Sequence, residues 1–211
     1  MPALKTGEQL MHILWTANLT LANRITLGRL LLIPVFILLT LYYMASVGNH
    51  QTNEWLRWSA LMVFVITSLT DALDGYFARS RNERTRLGTL LDPLADKSLL
   101  LSSLILLTGP WGRCFDPHLP VWYVVLVISR DVFLIAGAIF IHLVVGHTDV
   151  RPRVAGKMAT FFQMGLIIWV LGQAPVRGFP WVLGAAATCT LISALQYIAD
   201  GIRQLEKAHL H

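Results

Sequence analysis

Six stretches of this chain, at about 24–47, 55–80, 87–110, 119–145, 154–174 and 180–202, are each long and apolar enough to cross a hydrocarbon layer. A layer of ~30 Å takes about 20 helical residues, and inside it every backbone amide must be satisfied within its own segment. The expected architecture is therefore an all-α integral membrane protein, a six-transmembrane-helix bundle. An ordinary soluble domain is excluded, since 55% of the 211 residues are hydrophobic, 14% are charged and the mean hydropathy is +0.58. Residues 1–22 differ. Leu10, Met11, Ile13, Leu14 and Trp15 are interrupted by polar positions and no small-residue cleavage site follows, which predicts an interfacial amphipathic helix and not a signal peptide. The six-helix domain is placed at 23–205 and a C-terminal tail at 206–211.

Basic residues near the ends of these stretches divide unevenly. Lys5, Arg24, Arg29, Arg79, Arg81, Arg84, Arg86, Arg151, Arg153, Lys157, Arg203 and Lys207 fall on one side, and Arg57, Arg113 and Arg177 on the other. The positive-inside rule then places both termini, the 79–87 link and the 147–156 loop in the cytoplasm, as for a multi-pass protein of a bacterial inner membrane. The net charge of +5 is accounted for by topology and anionic headgroups, with no nucleic acid partner. Cys114 and Cys189 fall in an outer loop and within the last span, a poor pair for a disulfide.

Against this background the run from Asp71 to Asp96 is costly. It puts Asp71, Asp74, Asp92 and Asp96 in otherwise hydrocarbon-facing sequence. Each ionisable group in a span costs about 2.5–3.5 kcal/mol on insertion scales, and four carboxylates repel one another unless cations neutralise them. At 100° per residue Asp71, Asp74, Gly75 and Ala78 share one helical face with Arg79 at its edge, and Gly88, Asp92 and Asp96 form a second stripe. A short polar link between the two helices makes them antiparallel neighbours whose acidic faces can meet. All-oxygen coordination without nearby Cys or His suits Mg²⁺ or Mn²⁺ better than zinc, and two ions about 3.5–4 Å apart is the usual arrangement for displacement at phosphorus. The small residues Gly75, Ala78 and Gly88 leave room for a flat nucleotide to approach the backbone, although small residues also let membrane helices pack closely.

The pattern Asp71-x-x-Asp74-Gly75-x-x-Ala78-Arg79, eight residues, Gly88-x-x-x-Asp92-x-x-x-Asp96 resembles the signature of the CDP-alcohol phosphotransferase family, with every position filled. The resemblance implies an integral membrane enzyme that moves a phosphatidyl or similar group from a CDP-linked donor to an alcohol and releases CMP. It also implies that Asp71, Gly75, Ala78, Arg79 and Gly88 face the CDP donor and that the enzyme is a homodimer. On the metal reading Asp71, Asp74, Asp92 and Asp96 are the ligands, and Asp96, deepest in its stripe, is the candidate catalytic base.

The acceptor is read from cations that could hold an anion: Lys97, Arg130, Arg151, Arg153 and Lys157. For Lys97 and Arg130 the alternative is internal pairing with a carboxylate, and for the 151–157 cluster it is topology alone. Two further segments, Asn23-x-x-Thr26-x-x-Arg29-x-x-x-x-Pro34 and Leu91 to Lys97, are similar both to the glycerophosphate-using branch of the family and to the related cardiolipin-synthesising branch. Ser129-Arg130-Asp131 followed by Arg151-Pro152-Arg153 and Gly156-Lys157 is similar to the glycerophosphate-using branch. The similarity to the glycerophosphate-using branch implies CDP-diacylglycerol as donor and glycerol 3-phosphate as acceptor. Phosphatidylglycerol, the acceptor in cardiolipin synthesis, is the alternative. A divalent-cation transporter is the reading from another class, disfavoured because all four acids lie in one hairpin beside Arg79.

Overall fold

The computed structural model describes residues 21–81, 97–145 and 154–209, with side chains for all of these except 21–27, 71–81, 111, 141–142, 144–145 and 204–209. The described chain forms six α-helices: α1 (Leu21–Gly48), α2 (Glu54–Arg81), α3 (Lys97–Leu106), α4 (Val121–Val145), α5 (Val154–Leu171) and α6 (Phe179–His209). Two 3-10 turns, Trp111–Cys114 and Val176–Gly178, lie in the connections to α4 and α6.

Among the described residues, Gly28–Gly48, Val121–Phe140, Val154–Leu171 and Val176–Arg203 are long and apolar enough to cross a membrane. The protein is thus an all-helical, multi-pass membrane protein. At 1.5 Å per residue the 28 residues of α2 extend about 42 Å, whereas the described part of α3 covers about 15 Å. The stretch expected to run to 110 leaves the helix after Leu106, because Gly109 takes the left-handed conformation (φ 74) and Pro110 follows. Leu21 and Ala22, expected to close the interfacial segment, already belong to α1, and the rest of that segment lies outside the described residues. At the other terminus α6 continues through 206–209, so helix fills the first part of the expected tail.

Short connections make α1 and α2, and again α5 and α6, antiparallel neighbours. Helix α4 packs along α6, and α2 touches α5. Phe36 meets Phe64 at 5.8 Å between ring centres in the α1–α2 seam, while Leu104, Leu107, Leu166, Ile167 and Leu171 are fully buried. The outward faces are just as apolar. Leu31, Phe133, Leu143, Phe161 and Leu195 are exposed, a surface that suits lipid and not water.

Three connections gather at one end of the bundle. Tyr43 near the end of α1 stacks at 5.3 Å on Phe115 of the α3–α4 connection, and its hydroxyl accepts a hydrogen bond of 3.1 Å from Gln173 of the α5–α6 connection. Arg57 at the start of α2 donates to the Leu171 carbonyl at 2.8 Å and to Glu54 at 2.7 Å. Its charge therefore caps the carbonyl end of α5, where the helix dipole is negative. A Cβ on Gly112 would lie 2.4 Å from the Leu107 carbonyl oxygen, the same atom that accepts from Leu119 N–H at 3.2 Å. Only glycine lets that turn close on the end of α3. Trp55, Trp58, Trp122 and Trp181, all within the first turns of helices that start at this end, are exposed as an aromatic belt is at a membrane–water boundary. Arg57, Arg113 and Arg177 share this end, so the three cations that the sequence sets apart from the other twelve are brought together.

Candidate active site

At the opposite end, α2 runs helical to Arg81, so Asp71, Asp74, Gly75, Ala78 and Arg79 occupy its last three turns at the spacing that places them on one face. Their side chains, and Gly88, Asp92, Asp96, Arg151 and Arg153 altogether, lie outside the described residues. Among the described residues no cluster of three His, Cys, Asp or Glu side chains is found. The donor set of the signature, four carboxylates and no sulfur or imidazole, fits a hard divalent cation such as Mg²⁺.

The described part of the site is built around Arg130. It lies ten residues into α4, is only 8% exposed, and so needs partners for its charge. Its Nη1 donates to Asp131 Oδ1 at 2.8 Å and its Nη2 to Ser193 Oγ of α6 at 2.8 Å. The other carboxylate oxygen of Asp131 accepts from Lys97 Nζ, at the first described residue of α3. Asp131 is buried with Arg130, whereas the Lys97 side chain is about half exposed. Two cations therefore share one carboxylate, which leaves the trio a net charge of +1. The internal pairing weighed for Lys97 and Arg130 is present, and its carboxylate is the residue next to Arg130 in the chain.

Two further contacts shape this guanidinium. Its carbon stands 6.0 Å from the centre of the Tyr197 ring. A Cβ on Gly156 would lie 3.1 Å from Nη2 and 3.4 Å from Ser193 Oγ, so the backbone of α5 lies close against this nitrogen and a larger residue would displace the arginine. The buried Nε of Arg130 has no hydrogen-bond partner among the described residues. With Nη2, which carries a second hydrogen, it forms an edge able to take two oxygens of one phosphate. Lys157, one residue beyond Gly156, is exposed, and Arg29 of α1 is buried at 2% exposure.

Ser193 and Tyr197 did not figure among the expected site residues. A signal was present, because Thr190, Ser193, Tyr197 and Asp200 recur every three or four residues along an apolar helix and so make one polar stripe on α6. Thr190 and Ser193 are fully buried.

Residues 19–194 match the CDP-alcohol phosphatidyltransferase family. The chain belongs to this family. It is 33% identical over 189 residues to the probable phosphatidylglycerophosphate synthase of Mycobacterium tuberculosis, covering 88% of this chain and 83% of that one. To the CDP-diacylglycerol–glycerol-3-phosphate 3-phosphatidyltransferase of Bacillus subtilis it is 32% identical over 201 residues, 90% of this chain and 98% of the other. The protein of the same name from Escherichia coli K12 is 31% identical over 186 residues, 83% and 91% of the two chains. The match to the phosphatidyltransferase family encloses the whole aspartate run, both members of the Arg130–Ser193 pair, and Gly156.

Proposed function

We propose that this CDP-alcohol phosphatidyltransferase transfers the phosphatidyl group of CDP-diacylglycerol to glycerol 3-phosphate, giving phosphatidylglycerol phosphate and CMP. The observation that carries the acceptor is the similarity, over more than four-fifths of this chain, to proteins named for that reaction. The Arg130 clamp supports it, because a phosphate-bearing acceptor gives a chemical reason to keep the guanidinium Nε buried and, among the described residues, without a partner.

In this reading Arg130, with Lys97 and with Arg151, Arg153 and Lys157 toward the same end, holds the acceptor phosphate. The acceptor hydroxyl attacks the phosphorus that carries the diacylglycerol, a new P–O bond forms, and the bridging P–O bond to CMP breaks. Asp96 takes the hydroxyl proton. Asp71, Asp74, Asp92 and Asp96 are the residues that would hold two Mg²⁺ or Mn²⁺ ions. Bound there, the ions would draw charge from the diphosphate and stabilise the departing CMP. Gly75, Ala78 and Gly88 leave space for the cytidine, with Arg79 close to the donor.

The test is CMP release by purified protein in detergent, with CDP-diacylglycerol and Mg²⁺, comparing glycerol 3-phosphate, phosphatidylglycerol and inositol phosphate. Release with glycerol 3-phosphate, lost on chelation and restored by Mg²⁺, is expected. Release with phosphatidylglycerol alone would make the protein a cardiolipin synthase, and Mg²⁺ flux without CMP would make it a transporter.

Six crossings with an amphipathic helix before them, both termini cytoplasmic, and a homodimer complete the proposal. The uneven distribution of Lys and Arg supports the orientation. Gly137 and Gly184, whose missing side chains would meet nothing within 4 Å, leave helix faces open to a second copy. An Arg177→Cys variant should take up a membrane-impermeant maleimide from outside the cell, and the protein mass in detergent should be twice 23.6 kDa. Burial pushes the Cys114 thiol up from its ordinary pKa, which keeps its thiolate fraction low at neutral pH and its background labelling slow. Labelling of Arg177→Cys only after the membrane is opened would reverse the orientation.

A further inference from the structure

The Asp131 carboxylate is spent twice, and the second use is the informative one. Neutralising Arg130 needs one oxygen, and Oδ1 supplies it at 2.8 Å. The other oxygen reaches across to Lys97 on a different helix. Through Asp131 and Arg130, side chains or backbone from α3, α4, α5 and α6 meet within hydrogen-bond or van der Waals reach: Lys97, the 130–131 pair, Gly156 and Ser193. Lys97 is also the residue that directly follows Asp96 in the chain.

We propose that Asp131 is a positioning residue of the transfer reaction: by sharing its carboxylate between Lys97 and Arg130 it fixes the acceptor-phosphate cation relative to the start of α3 and so to the base beside it. The proposal rests on the phosphatidyltransferase reading above. It differs from a purely electrostatic role in the sign of its effects. Asp131 meets two cations, Lys97 from α3 and Arg130 on its own helix, and Arg130 in turn meets the neutral Ser193 and Tyr197 on α6 and the Gly156 backbone on α5. Replacing it by asparagine removes a negative charge and raises the trio from +1 to +2, which by Coulomb attraction alone strengthens the hold on a phosphate dianion. Loss of positioning leaves that attraction intact. What suffers is the alignment of the hydroxyl with phosphorus, for which a displacement of about 1 Å costs on the order of a hundredfold in rate.

The experiment is steady-state kinetics of CMP release by the purified full chain, with glycerol 3-phosphate varied at saturating CDP-diacylglycerol. Asp131→Asn should lower kcat by roughly a hundredfold while KM for glycerol 3-phosphate stays level or falls, and Asp131→Glu should recover part of the loss. Lys97→Met, at a half-exposed side chain whose removal leaves the Arg130 contacts in place, should lower kcat by about tenfold. Combined with Asp131→Asn it should add little, because both changes break one link. Should Asp131→Asn fail to fold, Lys97→Met carries the test alone. A kcat within twofold of the parent in either variant overturns the proposal, as does a fully multiplicative effect in the combination. A parent that releases no CMP with glycerol 3-phosphate overturns the proposed function and this inference with it, whereas an active parent with indifferent variants overturns this inference alone.

Discussion

An Asp96→Asn protein should release CMP from CDP-diacylglycerol roughly a thousandfold more slowly than its parent, with glycerol 3-phosphate saturating. The amide occupies nearly the same volume as the carboxyl but takes up no proton, so the acceptor hydroxyl must attack while still protonated. General-base assistance contributes on the order of 10²–10⁴-fold, and the middle of that range is the expected loss. Asp71→Asn should also inactivate, but by a different route. It removes a ligand from the α2 face, and in the proposed site that weakens the hold on the divalent cations. The two are separated by titrating Mg²⁺. Each variant keeps three of the four proposed ligands, so half-saturation should shift upward in both, but saturating Mg²⁺ should restore most of the turnover in Asp71→Asn and little of it in Asp96→Asn, which also lacks the base. An Asp96→Asn protein that keeps most of its turnover with its Mg²⁺ requirement unchanged removes the base from Asp96.

The aspartate signature is legible in sequence for a simple reason. Its residues are local, their spacing is that of two helical stripes joined by a short link, and their cost in a membrane makes them conspicuous. Helix placement is legible on similar grounds, since a bilayer sets a length that few other constraints produce. Ends of helices are less so. The third stretch reads as apolar to 110, yet the chain leaves the helix after Leu106, and what stops it is the left-handed Gly109 with Pro110 behind it. The surroundings of Arg130 are the least legible part. Ser193 lies 63 residues away in sequence, and Gly156 meets the guanidinium only because α5 and α6 pack as an antiparallel pair beside α4. Composition gives a cation in a span and a carboxylate next to it. Whether that carboxylate serves Arg130, Lys97 or both is decided by how the helices pack, which no local pattern encodes.

That packing makes Arg130→Lys a severe change despite the retained charge. The guanidinium here does several things at once: Nη1 donates to Asp131, Nη2 donates to Ser193, and Nε, without a partner among the described residues, is free for the proposed acceptor contact. A lysine ammonium is a single point on a flexible stem and cannot satisfy Asp131 and Ser193 while presenting a flat two-donor edge to phosphate. Each charge-assisted hydrogen bond lost is worth about 1.5–3 kcal/mol, so losing one or two lowers kcat/KM for glycerol 3-phosphate by about one to four orders of magnitude. The loss should fall on the acceptor. KM for CDP-diacylglycerol should stay near its parent value, because the proposed donor site is the α2 face and its partner stripe. Arg130→Met, which also abandons the charge and leaves Asp131 with Lys97 alone, should be at least as damaging. Arg130→Lys activity within threefold of the parent would mean that the acceptor phosphate is gripped elsewhere, with Arg151, Arg153 and Lys157 the first places to look.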